Sequence, residues 1–117
     1  VQMTRDHTVV AEMVHAGTLA ASAARGHRQE HFLSQALGTQ ADVEVQVLLG
    51  VAEEGDRFLL CSDGLIRVLE DSELESALLD SRRTELEVVV EGLIQEAVRR
   101  GAPDNVTAAI LAVDSIN

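Results

Sequence analysis

Between residues 84 and 113 the sequence changes its apolar period, and this change limits the fold more than any other feature. Leu86, Val89, Val90, Leu93, Ile94 and Ala97 recur at helical spacing, with Glu85, Glu87, Glu91, Gln95 and Arg99 turned away, which predicts a long amphipathic helix. Thr84 with Glu87 fits a capping box at its start, and Gly101 and Pro103 stop it. Immediately beyond, Val106 to Val113 is apolar on both faces, which predicts a strand buried on both sides.

Earlier segments are shorter. Thr8 to Gly17 predicts a helix with Val9, Val10, Met13 and Val14 at helical spacing and Gly17 as its stop, and a second short helix is expected from Thr18 to Arg25. Asp42 to Leu49 sets Val43, Val45 and Val47 against Glu44 and Gln46, the period of a strand with one wet face. The turn Glu53-Glu54-Gly55-Asp56 then leads into an apolar run, Phe58 to Cys61. These two runs are expected to form a hairpin or neighbouring antiparallel strands. Ser72 with Glu75 fits another capping box.

The composition removes several classes of function. Nine basic against twenty acidic residues leave a formal charge of −11, opposing nucleic acid or an anionic membrane as a general partner. Two Phe, no Tyr and no Trp provide no stacking platform for single strands. A single cysteine cannot close an internal disulfide, and Cys61, inside an apolar run, is expected to act as a small buried hydrophobe. With no leader-like or membrane-spanning run, a cytoplasmic location is expected, and a chain beginning at Val1 suggests a piece of something longer.

The run Phe58 to Cys61 delivers the Asp63 carboxylate into Gly64, and Asp104-Asn105 precedes the last strand. If the two strands are neighbours, both carboxylates reach the same edge of a sheet. Two such groups form half of a site for Mg²⁺ or Mn²⁺, hard cations that take oxygen ligands and keep several waters. Taken singly, the spacing favours a plain turn at Asp63-Gly64 and an Asx-type turn at Asp104-Asn105.

The segments TRDHTVVAEMVHAG, LSQALG, GDRFLLCSDGL and GAPDNVTAAILAVD, in this order and over nearly the whole chain, resemble the type-2C (PPM) metal-dependent protein serine/threonine phosphatases, especially the bacterial members. The resemblance implies an α+β class, part of an α-β-β-α sandwich with mainly antiparallel sheets, with residues 1–117 forming the C-terminal half of the catalytic domain. It implies Asp63 and Asp104 as metal ligands, Gly64 and Asn105 as support for that site, and Mn²⁺ or Mg²⁺ in a two-metal centre. A metal-activated water then attacks phosphorus, with no catalytic residue beyond the metal ligands. Arg67 stands where many relatives carry an acidic residue contributing to a third metal, a departure that leaves a third site open.

The family's early phosphate-binding Arg, its bridging Asp-Gly pair and its Gly-Asp-Ser segment have no counterpart in these 117 residues. The isolated chain is therefore expected to be inactive, to bind metal weakly, and either to pair with the missing N-terminal half or to associate with itself. Residues 8–37 resemble the family's flap, with His27 and His31 assigned to substrate selection; two plain surface helices are the competing reading. His27 to His31 also matches H-x-x-E-H, a zinc metalloprotease signature that would place both histidines on one helical face, against the commoner reading of solvent-facing histidines. The expected function is hydrolysis of phosphoserine or phosphothreonine in proteins, and the alternative is a non-catalytic, pseudophosphatase-like sensor or interaction module.

Overall fold

The computed structural model describes residues 1–115. They fall into two compact units, residues 1–50 and the described residues from 51 onward.

In the first unit Thr8 is extended, and its Oγ1 accepts the Ala11 amide at 3.1 Å, which starts helix α1, Val9–His15. Gly17, at φ +73°, ends the turn as its left-handed residue. The expected second helix is reduced to one 3₁₀ turn, Ala21–Ala23, preceded by Ala20, which has no side-chain oxygen to cap it. Thr18, the expected start, closes α1 instead: its amide and its Oγ1 both donate to the Met13 carbonyl, at 2.9 and 3.0 Å.

Residues 42–49 form no strand among the described residues, contrary to their alternating pattern, and the hairpin with the Phe58 run does not form. Glu44 donates its amide to Gln35 Oε1 at 2.7 Å, and Gln46 uses its side-chain oxygen on the Arg5 amide at 2.9 Å. Val45 and Leu49 are 76% and 96% exposed. An alternating pattern supplies a face, but a strand requires a neighbour's backbone groups as well.

The second unit opens with the expected turn. Asp56 donates its amide to the Glu53 carbonyl at 3.0 Å, with Gly55 at φ +93°. Strand β1, Arg57–Cys61, pairs antiparallel with strand β2, Ala108–Ala112, from Arg57↔Ala112 to Cys61↔Ala108. Three helices follow β1: α2, Asp63–Ile66; α3, Asp71–Asp80; and α4, Leu86–Arg99. The class is α+β, as expected.

The stripe on α4 is placed as its period requires, with Val89, Leu93 and Ala97 buried. Leu93 and Ala97 join Leu65 and Leu69 in the core, with Leu59 of β1 and Ala108 of β2 packed against them. Only one face of β2 is covered. Ala108, Ile110 and Ala112 are half-buried while Ala109 and Leu111 are exposed, so the expected burial on both faces is not found among the described residues. Cys61, expected to be buried, is exposed at the end of β1.

Both expected capping boxes are corrected. α3 is capped by Glu70 with Glu73, rather than by Ser72 with Glu75, and the Glu70 amide donates to Glu73 Oε2 at 2.9 Å. α4 has Glu85 at its N-cap and no side-chain cap, and the Thr84 amide closes α3 on the Asp80 carbonyl at 3.0 Å. At the other end of α4, Arg100 bonds both Glu96 and Glu73 and donates to the Val68 carbonyl at 3.1 Å, which ties α3 and α4 to the segment after α2.

Candidate metal centre

Because Cys61 lies opposite Ala108, the chain leaving β1 and the chain entering β2 meet at one end of the sheet. Ser62 joins them. Its amide donates to the Thr107 carbonyl at 2.9 Å, its Oγ accepts the Thr107 amide at 2.9 Å, and the same hydroxyl donates to the Asn105 carbonyl at 3.2 Å.

Gly64 brings the two segments closer still. It is buried, and a Cβ there would collide with the Asn105 carbonyl oxygen and lie 3.1 Å from its carbon and 3.3 Å from Val106 Cγ2. Only glycine allows this backbone approach. Leu65, the next residue, is fully buried and anchors α2 in the core.

Asp63 and Asp104 therefore flank one seam, Asp63 as the first residue of α2 and Asp104 in the loop before β2, both exposed. The Asn105 amide donates to Asp104 Oδ1 at 2.7 Å. Asp63 Oδ2 is 2.9 Å from Nη2 of Arg67, one helical turn later, and the two side chains are 54% and 29% exposed. Among the described residues no group of three or more His, Cys, Asp or Glu side chains converges as a metal site would need. In type, the donors fit a hard cation. In number, they fit part of its shell.

Both carboxylates, Gly64 and Asn105 are the residues expected from the sequence, and the structure adds Ser62 and Thr107, which fasten the segments together. The only sequence signal for them is a hydroxyl residue between a strand and Asp-Gly. His27 and His31 lie in the first unit, within a series of turns and not on a helix. His27 Nδ1 accepts the Gln29 amide at 3.2 Å, and Glu30 Oε2 accepts the Gly26 amide at 2.8 Å, so the helical face that a zinc signature requires does not form.

No family model matches the chain. The serine/threonine phosphatase Stp of Listeria monocytogenes is 34% identical over 113 residues, which cover 97% of this chain and 44% of that protein. The serine/threonine phosphatase of S. agalactiae superposes with a TM-score of 0.85 at 34% identity, over 96% of this chain and 46% of the other. Over nearly its whole length the chain matches serine/threonine phosphatases of the PPM family. The catalytic domain of another member, PstP, in complex with two manganese ions, superposes with a TM-score of 0.75 at 34% identity, over 98% of this chain and 46% of the other. The chain spans less than half the length of the curated relatives it matches.

Proposed function

We propose that this chain is the C-terminal part of the catalytic domain of a metal-dependent protein serine/threonine phosphatase, with Asp63 and Asp104 as metal ligands. The observation that carries the reading is the seam at which Ser62 and Gly64 hold the Asp63 segment against the Asp104-Asn105 loop. The match to this family adds the reaction class, and the manganese complex of PstP adds the kind of cation, Mn²⁺ with Mg²⁺ as its chemical neighbour.

A divalent cation at such a site supplies a water of lowered pKa and offsets charge on the phosphoryl oxygens. The chain's own residues prepare the place. Ser62 fixes the spacing of the two segments, Gly64 admits the Asn105 carbonyl, and the two exposed carboxylates supply hard oxygen donors. The remaining ligands come from water and from the part of the domain that this sequence does not contain. The 117-residue chain alone is accordingly inactive toward phosphoproteins, binds metal weakly, and finds its missing half or a second copy of itself. Residues 8–37 correspond to the family's flap, with His27 and His31 assigned to substrate selection. No described helix is long and apolar enough to cross a membrane, which is compatible with action on cytoplasmic phosphoproteins.

Hydrolysis of a phosphothreonine peptide by a whole protein carrying this sequence, with and without Mn²⁺, tests the reading. Asp63→Asn and Asp104→Asn should each remove most of the Mn²⁺-dependent turnover. Wild-type turnover in either variant contradicts it.

A further inference from the structure

We propose that Arg67 is a tethered counter-cation of the candidate metal centre: its guanidinium sits on Asp63 in the absence of a divalent ion and has to leave before one binds. The inference rests on the reading of Asp63 as a metal ligand and adds a residue that sets the affinity of that site.

The geometry is fixed on both sides of the pair. The Arg67 amide closes α2 on the Asp63 carbonyl at 3.0 Å, which places the two side chains one turn apart, and Nη2 meets Oδ2 at 2.9 Å. α2 cannot slide, because Gly64 is pressed on the Asn105 backbone and Leu65 is fully buried. The Arg67 side chain is only 29% exposed, so most of its surface is covered while its charge reaches the carboxylate. The pair is thus held ready by the fold rather than assembled by two free surface chains.

A guanidinium and a divalent cation compete for the same oxygen, and like charges at such a distance repel. Two effects follow. Without metal, Arg67 neutralises Asp63, and with metal present it raises the concentration needed to fill the site. Arg67→Gln removes the charge and keeps a polar side chain, and it is expected to tighten Mg²⁺ binding by roughly threefold to tenfold, given the weak to moderate strength of partly exposed ion pairs. Arg67→Lys keeps the charge and stays near wild type.

Mg²⁺ titration of the 117-residue chain, followed by amide and Arg Nε resonances, measures this without reference to catalysis. The expected result is that Arg67 Nε and the Gly64 amide move with one midpoint in wild type, that Arg67→Gln lowers the Gly64 midpoint, and that Asp63→Asn abolishes both shifts. An Arg67 Nε resonance that stays still while Gly64 titrates overturns the proposal whatever the variants do. So does an Arg67→Gln midpoint equal to or above wild type; if Asp63→Asn still loses binding, the metal assignment itself survives. Identical titrations of wild type and Asp63→Asn, or no Mg²⁺-dependent shift in wild type and Arg67→Gln, overturn the metal assignment and the proposal together.

Discussion

The Ser62–Gly64 turn and the Gly26–His31 turn each gather polar side chains within a few residues, yet they are held in different ways. At the first, Ser62 bonds Asn105 and Thr107, 43 and 45 residues away, and Gly64 touches the Asn105 backbone. At the second, Gly26 to Glu30, Gln29 to His27 and Glu30 to His27 span two to four residues. Local bonds shape a turn but leave its side chains free to move with it. Bonds to distant chain fix a carboxylate relative to another element, and a coordination site needs that fixity.

Substituting the glycine of each turn should break this comparison most visibly. Gly64→Ala pushes a Cβ into a backbone carbonyl that cannot rotate away, and is expected to cost about 3 kcal/mol of unfolding free energy. Gly26→Ala meets nothing within 4 Å and suffers only from φ +77°, for about 1 kcal/mol. Urea unfolding of both variants checks the order, and a reversal would mean that the seam is looser than described.

Ser62→Ala sharpens the same point on a smaller scale. It removes the hydroxyl that bonds the Asn105 carbonyl and the Thr107 amide, and should cost about 1 kcal/mol, with faster exchange of the Thr107 amide. Glu30→Ala, which frees one exposed amide at Gly26, should cost no more than about half of that.

Acid should act more gently, through the brace on the unit that carries the seam. Hydrogen bonds from Arg99 and then Arg100 hold Glu96 down to about 2, from an ordinary value of 4.5, and Arg100 with the Glu70 amide lowers Glu73. Both folded-state values lie below the unfolded ones, so the stabilisation is complete above about pH 4.5 and is lost as pH falls toward about 2. The thermal midpoint should therefore fall across that window, and Arg100→Ala should flatten the slope. An unchanged slope would remove the brace from the account.

How much of this could be read in the letters depends on how local each feature is. The α4 stripe was legible because six apolar positions repeat with one period, and α1 because Thr8 and Gly17 mark its ends. The Asp42 to Leu49 strand was misread because alternation specifies a face and not a partner. Ser72 with Glu75 has the spacing of a capping box with a short hydroxyl residue, the commoner kind of cap, whereas the fold uses the reciprocal pair Glu70 and Glu73 two residues earlier. At the site, Asp63 and Asp104 were visible as residues, whereas the Gly64 approach and the Ser62 bridge depend on the register Cys61↔Ala108, which no local pattern states. Cys61 is apolar by its neighbours and exposed because β1 ends there.

The central claim is that the seam, and not the histidine turn, is where a divalent cation binds. Substoichiometric Mn²⁺ added to the chain, with paramagnetic broadening followed amide by amide, tests it most directly. The account predicts that Gly64 and Asn105 broaden first, that Asp63→Asn and Asp104→Asn each suppress this, and that His27→Ala with His31→Ala leaves it unchanged. Broadening that begins at His27 and His31, or that persists at Gly64 in both carboxylate variants, would contradict it.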